Sequence, residues 1–181
     1  MDIKSIKLIE KESDCLCDSK QLSKILDVLA NKITTDLKDK NPLLLCVMTG
    51  GIIPTGHLAT RLLFPLQLDY IHATRYRGET SGGELHWIQK PSISLENRTV
   101  LIIDDIYDEG ITLVEIAKYC KENGASDVRS AVLVNKLHNR KANYTPDYIG
   151  LDIEDRYLFG FGMDYKHYLR NVNGIHAVKG M

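Results

Sequence analysis

Thr99-Val100-Leu101-Ile102-Ile103-Asp104-Asp105-Ile106-Tyr107-Asp108-Glu109-Gly110-Ile111-Thr112 carries the strongest structural signal in this 181-residue chain. The apolar run Thr99 to Ile103 reads as a buried strand. Leu113 to Asn123 reads as a helix, with Leu113, Ile116, Ala117 and Cys120 on one face and Asn123-Gly124 as its stop. Strand, polar turn and helix in that order form a crossover unit, and ligands of such units gather beyond the strand's carboxyl end. Two adjacent carboxylates there accept hydrogen bonds from hydroxyls or hold a hard cation. The acid-Gly-x-Thr turn that follows opens a helix, where free backbone N–H groups and the positive dipole end attract an anion. Together these groups suit a phosphorylated sugar.

The flanking sequence repeats the alternation of strand and helix. Asp18 or Ser19 caps a helix running to about Lys38, with Leu22, Ile25, Leu26, Leu29 and Ile33 as its apolar stripe, and Asn41-Pro42 stops it. Leu43 to Met48 is a continuous apolar run, the pattern of a strand covered on both faces. Thr49-Gly50-Gly51 breaks it, Pro54 to Leu63 reads as a helix, and Gln67 to Thr74 as a strand. Val128 to Val134, Tyr148 to Leu151 and Tyr157 to Phe159 complete the strands. This order predicts an α/β fold, a mainly parallel twisted sheet flanked by helices with right-handed crossovers. Residues 75–89 stand apart: Arg75-Tyr76-Arg77-Gly78-Glu79-Thr80-Ser81-Gly82-Gly83 has little to bury, and reads as a flexible flap returning through Leu85-His86-Trp87-Ile88.

Composition narrows the function classes. A formal net charge of -1 gives no general attraction to nucleic acid or an anionic membrane. No apolar run approaches the ~20 residues that span a bilayer. Met1-Asp2-Ile3-Lys4-Ser5 lacks the apolar core of a signal peptide, so a cytoplasmic location is expected. Cys15 and Cys17 form a Cys-x-Cys pair, but no His pair at ligand spacing accompanies them, and Cys46 and Cys120 sit in core positions of a strand and a helix. Reduced, mostly buried thiols are the expectation. The six histidines match no catalytic spacing.

Paired acids after a strand also occur in response-regulator receiver domains, there on the first strand. Here they fall mid-chain and run into Asp108-Glu109-Gly110-Ile111-Thr112. Val100 to Leu113 therefore resembles the phosphoribosyl-pyrophosphate motif of the type I phosphoribosyltransferases, with Glu109 where Thr is usual. Order and spacing from about residue 20 to Arg170 resemble the hypoxanthine-guanine branch. Val47-Met48-Thr49-Gly50-Gly51 lies where that family places its pyrophosphate loop, often with a cis peptide before the third residue; some members carry Lys at the Thr49 position. Arg75-Tyr76-Arg77 starts the flexible loop, where Ser-Tyr is commoner. Lys136 stands relative to Pro146-Asp147 as the family's base-recognition lysine does, Asp155 to Gly160 resembles its purine-stacking segment, and Asp164 and Arg170 match its magnesium-linked acid and pyrophosphate-binding arginine.

The resemblance implies one domain over residues 1–181, with a hood from the N-terminal segment and about 147–181. It implies a magnesium-dependent enzyme of purine salvage that moves 5-phosphoribosyl from phosphoribosyl pyrophosphate to N9 of hypoxanthine or guanine, releasing pyrophosphate. Asp108 would be the general acid/base at N7. Asp104, Asp105, Glu109, Gly110, Ile111 and Thr112 would bind the ribose and its 5′-phosphate, and Thr49, Gly50, Arg75, Tyr76 and Arg170 the pyrophosphate. Lys136, Tyr157, Leu158 and Asp164 would bind the purine, with Asp104, Asp105 and Asp164 around Mg2+. A homodimer or homotetramer is implied as well. Two alternatives stay open: a xanthine-preferring transferase, since a 2-oxo group is read mostly by backbone, and a regulator of this fold that binds nucleic acid. Near-neutral charge and the base-recognition set argue against the regulator.

Overall fold

Six apolar segments pair into one sheet because their side chains alternate between two helical layers. The computed structural model describes residues 2–75 and 85–180. In chain order these form α1 (Ile3–Glu12), β1 (Asp14–Asp18), α2 (Ser19–Leu37), β2 (Leu43–Met48), α3 (Ile52–Ala59), β3 (Gln67–Arg75), β4 (Leu85–Gln89), β5 (Thr99–Tyr107), α4 (Ile111–Glu122), β6 (Asp127–Leu137), β7 (Tyr148–Glu154), β8 (Leu158–Phe159) and β9 (Gly174–Ala177). The main sheet has the order β4-β3-β2-β5-β6-β7, parallel except for β4 against β3. Leu44, Leu101, Ile103 and Leu133 pack under α2 and α3, whereas Leu43, Leu45, Val47, Val100 and Ile102 pack under α4. Burial on both faces explains the unbroken apolar runs of β2 and β5. Truncating one such fully buried leucine to alanine typically costs about 2–5 kcal/mol.

The chain leaves β2 in one direction, to β3 and β4, and from β5 onward in the other, to β6 and β7. The strand order reverses between β2 and β5, and the crevice beyond the carboxyl ends of those two strands is where open α/β sheets bind ligands. Thr49-Gly50-Gly51 and Asp104 to Thr112 meet there.

Helix α2 begins where the sequence predicts, with Asp18 accepting from the backbone N–H of Lys20 and Gln21 and the Gln21 side chain accepting from the Asp18 N–H. Other boundaries move. Strand β5 runs four residues past Ile103, so Asp104 and Asp105 lie inside it: parallel pairing with β6 continues through Asp104 opposite Val132 to Tyr107 opposite Asn135. Lys136 likewise stands within β6, not after it. Helix α3 starts two residues before Pro54, which the first turn tolerates because its amide has no intrahelical partner there. Helix α1, β1 and β9 are additions to the elements read from sequence: α1 and β1 bury little of their own surface, and β9 is only four residues long.

A second, three-stranded antiparallel sheet, β1-β9-β8, packs beside the first. Within residues 147–181, where a hood is expected, Tyr148–Glu154 is the edge strand of the main sheet, and β8 and β9 join β1. Ile6, Phe159, Tyr165, Leu169 and Val178 form the small core under this sheet. Of the flap, Leu85–Gln89 returns antiparallel to β3, while residues 76–84, Tyr76 among them, lie outside the described residues. Cys17, Cys46 and Cys120 are buried and Cys15 is exposed, all as free thiols. Among the described residues no helix is long and apolar enough to cross a membrane.

Candidate active site

Two cavities open side by side at the switch point. One, of about 290 Å3, is lined by Val47, Met48 and Gly50 from β2 and its turn, by most of the residues from Asp104 to Leu113 but not Tyr107 or Ile111, and by Asp164 and Arg170. The other, of about 270 Å3, is lined by Lys136, Tyr157, Leu158 and Met163. Asp105, Ile106, Asp108 and Asp164 line both. A ligand with two unlike ends therefore has a place for each, joined across the end of β5.

The floor of the first cavity is built by close backbone approach. The Met48–Thr49 peptide is cis, as the resemblance implies. A Cβ on Gly50 would collide with the Asp105 carboxylate, so only glycine lets the turn lie against β5. Gly110 caps α4 with φ +80°, and a Cβ there would enter the Tyr107 ring. The left-handed turn aims the first N–H groups of the twelve-residue α4 into the cavity, with their positive dipole end. The N-cap residue Gly110 makes no side-chain bond to this helix end, and backbone amides so placed suit an anion. The Glu109 carbonyl accepts from the Ala142 N–H at 2.8 Å, which fixes the loop from outside.

The wall is acidic. The Asp105 N–H donates to Asp104 Oδ1 at 2.9 Å. Burial, reinforced by repulsion from Asp105, pushes the Asp104 carboxyl well above its ordinary value. Burial raises Asp105 too, while the Asp104 contact and Arg170 oppose the rise. Arg170 is the cation of this wall: it lies 2.5 Å from Asp164 and 3.9 Å from Asp105, and donates to the Gly162 carbonyl at 2.5 Å.

In the second cavity the Lys136 ammonium donates to Asp155 at 2.8 Å and stands 3.5 Å from Asp108 Oδ2, with its side chain only 11% exposed. Arg140 pairs with the other Asp155 oxygen at 2.7 Å. Those two bonds, Lys136 first, hold the Asp155 carboxyl down at about 2. An ammonium has three protons, so two acids leave one for a ligand. The Tyr157 ring is 41% exposed over the cavity and meets Tyr165 edge-on at 5.4 Å. Asp164 accepts from the His167 N–H at 2.7 Å.

Most residues singled out from the sequence thus converge. Thr49 is exposed and Ile111 opens α4, and neither lines a cavity. Arg75 ends β3. Sequence reasoning passed over Met163, Asp155 as the partner of Lys136, and His138, whose Nε2 lies 2.6 Å from Asp108. Neither of the last two has a local sequence signal: the β5–β6 register sets Asp108 beside Lys136 and the turn with His138, and the β6–β7 register brings the end of β7, before Asp155, alongside.

Fold and site together define the class: the family model for the phosphoribosyl transferase domain matches residues 13–167. Hypoxanthine-guanine-xanthine phosphoribosyltransferase of Tritrichomonas foetus is 32% identical over 91% of this chain and 90% of its own length. Hypoxanthine-guanine phosphoribosyltransferase of Staphylococcus epidermidis is 30% identical over 98% of this chain and 95% of its own. A crystal structure of a hypoxanthine phosphoribosyltransferase from Staphylococcus aureus matches with a TM-score of 0.90 at 27% identity, covering 98% and 97% of the two chains. This chain belongs to the hypoxanthine-guanine phosphoribosyltransferase family.

Proposed function

We propose that the chain is a purine-salvage enzyme that transfers 5-phosphoribosyl from phosphoribosyl pyrophosphate to N9 of hypoxanthine or guanine, giving IMP or GMP and pyrophosphate. One observation carries the reading: Lys136 Nζ and Asp108 Oδ2 stand 3.5 Å apart on the wall of one cavity. A donor and an acceptor so placed match the 6-oxo group and N7 of a purine, which are neighbours on one edge of the base. The 6-amino group of adenine would set donor against donor, a mismatch that a desolvated site penalises strongly.

The remaining roles follow from chemistry. The α4 N-terminus, with Glu109, Gly110, Ile111 and Thr112, anchors the 5′-phosphate. Asp104 and Asp105 accept from the ribose hydroxyls. Thr49, Gly50, Arg75, Tyr76 and Arg170 take the pyrophosphate, and Tyr157 and Leu158 flank the base. As the anomeric bond breaks, positive charge grows on the ribose between the acids of β5, and Asp108 receives the N7 proton, a role typically worth about 10²–10⁴ in rate. Exclusion of water from the site would protect the cationic ribose from capture.

Mg2+ fits this donor set. Asp104 and Asp105 are crowded carboxylates whose ionised forms are disfavoured by burial and, for Asp104, by their proximity, and hard oxygen ligands suit that ion. Asp104, Asp105 and Asp164 would hold it, and bound magnesium supplies charge neutralisation at the departing pyrophosphate. The chain is also proposed to form a homodimer or homotetramer, since Ile52, Leu68 and Tyr70 line an exposed apolar hollow of about 510 Å3 beside α3. Light scattering of the purified protein gives that answer directly.

Pyrophosphate release with hypoxanthine, guanine, xanthine and adenine, each with and without magnesium, tests the function. Turnover with the first two and none with adenine is expected. Xanthine is the informative arm, because the Tritrichomonas foetus relative carries that base in its name. Silence with all four bases would move the reading to a regulator of the same fold.

A further inference from the structure

His138 lies in the turn that follows β6, and its side chain is only 5% exposed although that turn is at the surface. Its Nε2 is 2.6 Å from Asp108 Oδ1, thirty residues away in the chain. The contact of the other ring nitrogen assigns the tautomer. The backbone N–H of Arg140 donates to Nδ1 at 3.1 Å, so Nδ1 carries a lone pair and the proton of the neutral ring is on Nε2. The contact is therefore a donor from His138 to the Asp108 carboxylate. Asp108 Oδ2, the other oxygen, faces Lys136 and the second cavity.

We propose that His138 is a positioning residue for Asp108: its Nε2–H ties down Oδ1, so that Oδ2 is presented to the purine N7. The inference rests on the reading of Asp108 as the proton-transfer group. Without the tie, a carboxylate that is 46% exposed on a turn has free rotation about both its side-chain torsions. Lys136 alone would draw it toward the 3.5 Å ammonium, away from a bound base. A charge-assisted bond from a nearly buried ring removes that freedom before the substrate arrives.

The same cluster invites a metal reading, because Asp108, His138 and Asp155 each offer a ligand atom within 4.8 Å of one another. The Lys136 ammonium already lies on both carboxylates, at 3.5 and 2.8 Å, and the ring's Nδ1 is engaged by the Arg140 amide. A cation there would face a fixed positive charge, so the positioning role is the better use of these groups.

His138→Gln and His138→Met form the deciding pair: they are similar in length, and only Gln keeps an N–H donor. His138→Met is expected to lower kcat about tenfold, with KM for phosphoribosyl pyrophosphate and for the purine changed less than about twofold. His138→Gln should recover most of the loss. In an Asp108→Asn background His138→Met should cost almost nothing further, because the bond it removes serves only that carboxylate. Equal impairment of the Gln and Met variants, or a full additional loss in the Asp108→Asn background, overturns the proposal by reducing His138 to packing. If Asp108→Asn itself keeps wild-type turnover, the proton-transfer reading falls first, and this inference with it. A measurement on the unsubstituted enzyme stands apart from variant folding: 15N NMR of the histidine rings should show His138 as the neutral Nε2–H tautomer, and a Nδ1–H or cationic ring would overturn the assignment.

Discussion

The two cavities at the end of β5 are built in opposite ways. The first takes most of its wall from one contiguous stretch, Asp104 to Leu113, closed by a glycine turn from β2. The second draws Lys136 from β6, Tyr157 from the approach to the small sheet, Leu158 from β8 within it, and Met163 from the loop beyond. On the proposed reading, the first cavity grips phosphate through backbone N–H groups, which takes a single turn of fixed shape, so its residues stay together in sequence. The second would read the edge and face of a flat base, which takes side chains from several directions, and only separate elements supply those. Asp108 belongs to both cavities, which is why it is the group on which the comparison turns.

Breaking the shared rim should give the largest effect. Asp108→Asn is expected to lower kcat by about 10²–10⁴ while both substrates still bind, a split that single-turnover kinetics measures. Next, Lys136→Ala attacks the second cavity alone. The purine KM should rise about 10–100-fold, and the KM for phosphoribosyl pyrophosphate should stay within about twofold. Equal rises in both would dissolve the division between the cavities. Gly110→Ala attacks the first alone. The left-handed backbone costs a β-carbon about 1–3 kcal/mol, and the Tyr107 ring must also move. Thermal unfolding should fall by about 2–4 °C per kcal/mol, with the loss of affinity confined to phosphoribosyl pyrophosphate.

The smallest effect sharpens the comparison. Asp155→Asn keeps the shape beside Lys136 but weakens its hold, so a few-fold rise in purine KM is expected. The carboxyl of Asp155 is held at about 2, below its ordinary 3.8. A depressed acid contributes above the ordinary value and loses its contribution only as pH falls toward about 2. The ratio of variant to wild-type KM should therefore be flat from about pH 5 to 8. A ratio that changed in that interval would mean that some other group governs Lys136.

The same contrast separates what is legible in sequence from what is not. Asp18 capping α2, the doubly covered runs of β2 and β5, and the Gly110 turn into α4 are local matters of spacing and turn chemistry, and reading them requires no knowledge of neighbours. Boundaries slipped where a tertiary partner extends an element. Strand β5 absorbs Asp104 and Asp105 because β6 offers backbone partners as far as Asn135. Strand β7 joined the main sheet, and not the small one, because the β6 edge was free for it. Helix α1 was silent because one residue of its ten, Ile6, is buried.

Fold class, the Gly110 turn into α4 and the adjacency of Asp104 and Asp105 at the end of an apolar run were thus determined by the sequence alone, because each depends on residues a few positions apart. The pairing of Lys136 with Asp155, the contact of His138 with Asp108 and the placing of two cavities on either side of one strand end were decided only by the tertiary structure. Parallel strands bring together the turns that follow them, and those turns are separated in the chain by a whole crossover helix. No local pattern records which side chain across that gap a given carboxylate will meet.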